Sequence, residues 1–188
     1  MATSTTIHVQ TEDAGGVLSI LENYLRRGWN TGQISRRTSD GSGEIYGEAF
    51  LCSADDPTMF AFGRGQNGWV MIHYNSFSDC RHLVEKISCQ LRCLVVLIMA
   101  QSVSSAYHIT VCRDGEHLRT LEFADGEWVK NFGKPFPFEK EPLGHNIGTP
   151  DEPFYDFDEK DMTEYCKNFG LNPWADEVAE EWTILSAS

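Results

Sequence analysis

The chain has 188 residues, 41% of them apolar and 12% aromatic, with 28 acidic side chains against 15 basic ones and a formal net charge of −13. A chain this long buries roughly 70% of its unfolded surface, so one domain needs no disulfide or metal staple. The charge disfavours nonspecific contact with nucleic-acid phosphates and with anionic membranes, and no apolar run approaches the roughly 20 residues of a membrane-spanning helix.

The opening residues, MATSTTIHVQ, hold no basic n-region and no long apolar core, so no secretory signal is expected. The six cysteines are Cys52, Cys80, Cys89, Cys93, Cys112 and Cys166, without a CxxC pair. Reduced thiols in a cytoplasm are expected rather than disulfides or a zinc site. Residues 5–9, TIHVQ, alternate as a short strand. Thr11 or Asp13 caps a helix whose apolar stripe is Val17, Leu18, Leu21, Tyr24 and Leu25, with Gly28 at its end. Residues 30–44 form a polar Gly/Ser-rich loop, which holds Arg36 and Arg37, the one basic patch.

Residues 45–54, 58–64 and 68–75 read as three strands. In the third, Trp69, Met71 and His73 share one face. Ser78 caps a second helix with Asp79 in its first turn and the stripe Cys80, Leu83, Val84, Ile87 and Leu91. Residues 93–100, CLVVLIMA, are an unbroken apolar run, too short to cross a membrane and suited to a central strand covered on both faces. Residues 105–112 and 117–123 flank Asp114-Gly115, a strong hairpin signal. An unbroken register would set Val111, Ile109 and Tyr107 on a face with Leu118 and Thr120, and His108 with Arg119, Leu121 and Phe123. Asp125-Gly126 signals another turn into a strand at 127–132.

Beyond residue 138 the composition changes. Prolines break regular structure, and from Glu139 to Trp182 there are thirteen acids and three lysines. Asp158 caps a helix with the stripe Met162, Tyr165, Cys166 and Phe169, ending at Gly170. Asn172, followed by Pro173, starts another that runs toward Trp182. The expected fold is α+β: a two-layer sandwich with a mostly antiparallel sheet of six to eight strands and helices on one face. Residues 1–138 form the core and 139–188 an acidic, aromatic-rich helical extension packed on it. The first strand is expected to be parallel or at an edge.

Catalytic motifs are missing. No GxGxxG or GxxxxGK[ST] precedes a helix, GRGQNG lies between two strands, and no HExxH or GxSxG occurs. The series Asp156, Asp158 and Asp161 starts like a calcium loop but has Lys167 where a glutamate is required. No metal or cofactor is expected. What remains is the acidic, aromatic stretch. Aromatic anchors rimmed by charge suit protein recognition.

The expected function is therefore a non-enzymatic acidic protein-binding module for a basic protein partner, with no role for nucleic acid or membrane. In general character it resembles immunity-type or sequestering proteins of the bacterial cytoplasm, though it carries no motif of a named family. Asp151, Glu152, Asp156, Asp158, Glu159 and Asp161 would steer the partner, with Tyr155, Phe157 and Trp174 as anchors. The alternative is a small-ligand-binding or hydrolytic enzyme with His73, His108, Arg119 and Asp79 around one site. A homo-oligomer using the aromatic surface is the third reading.

Overall fold

In a computed structural model of the chain, residues 3–28, 33–39, 55–65, 67–171, 173 and 181–187 are described. The elements in chain order are β1 (Thr3–Gln10), α1 (Ala14–Gly28), β2 (Ile34–Ser39), β3 (Met59–Arg64), β4 (Trp69–Tyr74), α2 (Arg81–Leu91), β5 (Leu94–Gln101), β6 (Ala106–Arg113), β7 (Glu116–Ala124), β8 (Glu127–Gly133), β9 (His145–Asn146), β10 (Tyr155–Asp156), α3 (Glu159–Lys167) and β11 (Trp182–Ala187). Nine strands form one antiparallel sheet in the order β2-β11-β3-β4-β1-β5-β6-β7-β8. β9 and β10 form a separate two-stranded ribbon. No helix among the described residues is long and apolar enough to cross a membrane.

The strand expected over 45–54 lies outside the described residues. So does most of the helix expected after Asn172. Its expected end, Trp182, is instead the first residue of a strand, and β11 is held between β2 and β3 inside the main sheet. The first strand is neither parallel nor marginal: β1 is the middle strand, antiparallel to both β4 and β5.

The sheet is covered on both faces, and the reason is visible in β5. Val95 and Leu97 point to one face, Val96 and Ile98 to the other, and all four are fully buried. An apolar strand with two buried faces requires two covering layers. On the front face α1 and α2 pack Val17, Leu21, Leu25, Leu83, Val84 and Ile87 against Ile7, Val9, Ile72 and Leu97. On the back face Phe157, Met162, Tyr165, Cys166 and Leu171 cover Val96, Ile98, Ile109, Val111 and Leu121. The single-faced helical layer expected from the sequence is thus corrected: α3 and its flanks form a layer opposite α1 and α2.

Local turn chemistry behaves as the residue types dictate. Asp114 and Gly115 have φ of 54° and 84°, and Asp125 and Gly126 have 53° and 78°, the left-handed pairs that two-residue hairpins require. GRGQNG closes the β3–β4 hairpin, with Asn67 and Gly68 also at positive φ. Helix α1 is capped by Asp13, whose Oδ1 accepts from Gly16 N at 2.8 Å. Helix α2 differs from expectation. Cys80 takes the N-cap position without a side-chain bond, while Asp79 Oδ1 accepts from Arg81 N at 2.9 Å.

One register break reorganises the back face. Arg113 pairs with Glu116 and Cys112 with His117, but Val111 then pairs with Arg119, leaving Leu118 as an extra residue. A bulge of this kind moves every following side chain to the other face. Arg119, Leu121 and Phe123 therefore join Val111, Ile109 and Tyr107 on the back face. His108 and Thr110 instead share the front face with Glu122 and Thr120. The face assignment expected from an unbroken hairpin is reversed beyond Leu118.

The bulge delivers Arg119 to Glu139, and both side chains are completely buried. Arg119 Nη2 and Nε donate to Glu139 at 2.6 and 3.0 Å, and Nη1 donates to Asn131 Oδ1 at 2.6 Å and to the Phe132 carbonyl at 3.0 Å. Glu139 also accepts from Tyr165 Oη at 2.8 Å and from Phe136 N at 3.1 Å. Burial opposes the charge on Arg119, but the hydrogen bonds and charge of Glu139 outweigh it and raise the guanidinium pKa. Glu139→Leu strands a buried cation and is expected to cost roughly 3–5 kcal/mol in urea unfolding. Adding Arg119→Met is expected to recover part of that loss. A double variant less stable than Glu139→Leu alone contradicts this account.

Candidate functional site

The four residues of the expected catalytic reading do not assemble. His73 lies on the back face of β4, its ring 5.3 Å from that of Trp182. His108 lies on the front face of β6. Strands β1 and β5 stand between β4 and β6, so three strand spacings, about 14 Å, separate them within the sheet as well. Arg119 is consumed by Glu139 on the back face. Only Asp79, at the start of α2, is near enough to His108 for its charge to act there.

His108 instead belongs to a polar chain across the front of β6, β7 and β8. Lys130 Nζ lies 3.3 Å from Glu122 Oε2, which lies 3.6 Å from His108 Nδ1. His108 Nε2 is 2.9 Å from Thr110 Oγ1, Thr110 is 3.0 Å from Thr120 Oγ1, and His117 Nε2 is 2.5 Å from the same Thr120 oxygen. Burial lowers the pKa of both imidazoles, against the pull of neighbouring carboxylates on His108. Thr110 and Thr120 are fully buried, so neither hydroxyl faces solvent beside these rings. Four of the thiols are held protonated. Burial pushes Cys80, Cys112 and Cys166 up to about 12 and Cys93 to about 11. A shallow cavity of about 240 Å³ beside His108 and Glu122 is lined mainly by Phe77, Met99, Ala106 and Tyr107.

The acidic stretch is built differently from its expected form. β9 and β10 pair Asn146 with Tyr155 and His145 with Asp156. Asn146 Oδ1 accepts from Gly148 N at 2.8 Å and from Phe154 N at 3.1 Å, and Ile147 N donates to the Phe154 carbonyl at 2.8 Å. These bonds make the 145–156 loop an ordered hairpin. A side chain on Gly148 would collide with the Glu152 carbonyl. Phe157 follows and is 3% exposed, with its ring 5.1 Å from Trp128 and 5.8 Å from Tyr107. It is core, so its expected role as a surface anchor is corrected. Trp174 lies outside the described residues. Tyr155 and Asp156 are half-buried, and Asp151, Glu152 and Glu159 are exposed.

Two of the expected steering acids hold the structure together. Asp158 Oδ1 accepts from Lys160 N at 2.8 Å and Asp161 N at 3.0 Å, while Asp161 Oδ2 accepts from Asp158 N at 3.1 Å. This is a capping box for α3. His145 Nδ1 approaches Asp161 Oδ2 at 2.7 Å and ties the hairpin to the helix. His145, Asp158 and Asp161 therefore gather their ligand-type atoms within 4.8 Å of one another. Capping accounts for that cluster.

Two residues outside the expected site complete the surface. Ile147 is 56% exposed and Phe154 is 50% exposed, facing each other across the hairpin. The Phe154 ring reaches the β7–β8 turn, 3.9 Å from where a Cβ on Gly126 would lie. Asp151, Glu152 and Asp156 belong to the same hairpin, and Asp125 and Glu127 flank Gly126 on the turn. The stretch from Glu139 to Trp182 carries −10 of the chain's −13. Comparison with protein-family models, with curated proteins and with solved structures returns no match.

Two pH responses of opposite sign follow. Burial, aided by the charge of His73, lowers the pKa of His8 to about 3, so the fold holds it neutral. Its contribution is complete above the unfolded pKa of 6.5 and is lost as pH falls. Between pH 7 and pH 5 that loss is expected to reach about 2 kcal/mol in urea unfolding and to vanish in His8→Gln. For His145 the hydrogen bond it donates to Asp161 raises the pKa despite some desolvation. That contribution is complete below 6.5 and is lost as pH rises through the raised value. The difference in Tm between the native chain and His145→Asn is therefore expected to shrink from pH 6 to pH 9. A constant difference removes this role.

Proposed function

We propose that the chain is a non-enzymatic protein-binding module for a basic partner, of the immunity or sequestering type. The observation that carries this reading is the hairpin: exposed Ile147 and Phe154 stand on a loop that also carries Asp151, Glu152 and Asp156. Apolar residues surrounded by like charges suit a surface that attracts a cationic protein over distance and then holds it by contact. Steering falls to the acids that do not cap α3. Anchoring falls to Phe154 and Ile147, with Tyr155 at their edge.

The test is capture from a lysate of the source organism, washed at low and then high salt. A stoichiometric basic protein whose retention weakens with salt is expected. The variant Asp151→Asn, Glu152→Gln, Asp156→Asn should then slow association with that protein roughly 10-fold at low salt and flatten the salt dependence. Unchanged kinetics in this variant, or the lack of any basic partner, argues against the function.

A further inference from the structure

Seven residues, Glu127–Gly133, make up the last strand of the sheet, and among the described residues nothing pairs with its outer edge. We propose that an extended segment of the basic partner adds to the sheet along β8, with its cations meeting the neighbouring acidic hairpin. This rests on the reading of the chain as a binder of basic proteins and names where and in what conformation the partner docks.

Open edges are commonly guarded by lysine, proline, a β-bulge or a covering segment, and of these β8 keeps a bulge. The opposite edge, β2, carries Arg36 and Arg37. β8 contains no proline, and its one cation, Lys130, is neutralised by Glu122 at 3.3 Å. A bulge leaves Val129 as an extra residue between Trp128 and Lys130, and Val129 is 60% exposed. Phe132, stacked on His117 with ring centroids 5.1 Å apart, is still 54% exposed. The strand spans about 23 Å, and at its end the Phe132 and Gly133 carbonyls already accept from Arg119. Strand addition takes affinity from main-chain hydrogen bonds and specificity from side chains flanking the edge.

Charge selects the kind of segment. Asp125 and Glu127 flank the start of β8, and Phe154 brings the hairpin with Asp151, Glu152 and Asp156 against the same turn. An incoming strand with alternating basic and apolar residues would place its cations among these carboxylates and its apolar side chains on Val129, Phe132 and Phe154. A second copy of the chain would bring another −13 to the contact, so a basic partner is favoured over self-pairing.

The experiment is an NMR titration of the isotope-labelled full chain with a capped peptide, Lys-Val-Lys-Val-Lys-Val-Lys. A second titration uses the same peptide N-methylated at every residue, which keeps the charge and blocks pairing from either edge. With the first peptide, amide signals across 127–133 are expected to shift, and exchange at 130–133 to slow about 10-fold. With the second, only the hairpin should respond. The surface variant Val129→Lys with Phe132→Lys should abolish the β8 response and leave the hairpin response. If both peptides move only the hairpin, the strand proposal fails and the binding reading stands. If neither moves either region, both fail. Shifts on β2, or concentration-dependent β8 shifts without peptide, would place the contact elsewhere or on a second copy and overturn the proposal.

Discussion

The buried pair of Arg119 and Glu139 is the constraint around which the back of the molecule is organised. Neither charge has access to water, so each is tolerable only with its hydrogen bonds filled. That requirement reaches in three directions. It needs the bulge at Leu118 to point Arg119 backward. It needs the end of β8 to present the Asn131 side chain and the Phe132 carbonyl. It needs α3 to bring Tyr165 to the second oxygen of Glu139. Gly133 fits the same design: it has φ of 91°, and a Cβ there would strike the Leu118 carbonyl beside the bulge. A proline-rich segment with little regular structure is thus pinned across the sheet by one guanidinium. The aromatic rings of Phe136, Phe138, Tyr165 and Phe169 close over it.

The rest of the architecture follows from where the chain's apolar strands had to go. β5 buries both faces, so it cannot lie at an edge, and β1 joins it with Ile7 and Val9 on the front and His8 on the back. The cost is a polar ring inside the sheet, met by His8 bonding Thr6 Oγ1 at 3.1 Å while held neutral. β11 enters from the far end of the chain, so the left half of the sheet is complete only when the last described strand is in place. Contacts between the ends of the chain make such a fold slower to assemble than its hairpins alone suggest.

Much of the fold was legible in the sequence because it is local. Asp-Gly pairs announced two hairpins, Asp158 announced a helix start, and CLVVLIMA announced a strand covered on both faces. The long-range features were not. Nothing in TSTTIHVQ says that it lies between two later strands, and the periodicity of HLRTLEF does not reveal one residue bulged out. That single bulge decides which residues share a face with His108, so the expected grouping of His108 with Arg119 could not survive it. In the acidic stretch the missed signal was parity. In FYDF, Phe154 alternates with Asp156 and Tyr155 with Phe157. A polar residue on one side and an aromatic on the other already separate the outward pair from the inward one.

The carboxylates of the C-terminal stretch divide in the same way, and that division bears on function. Glu139, Asp158 and Asp161 are spent on a buried pair and a helix cap. The side chains of Asp125, Glu127, Asp151, Glu152 and Asp156 make no hydrogen bond or ion pair among the described residues, and they lie on the β7–β8 turn or on the hairpin whose Phe154 reaches it. Nothing in the capping or packing of this region needs them there. A cationic surface brought against them would gain attraction. Ile147 and Phe154 would leave water in the same step. Attraction and apolar burial would thus act together at this end of the molecule, which is the physical ground for proposing it as a place of contact.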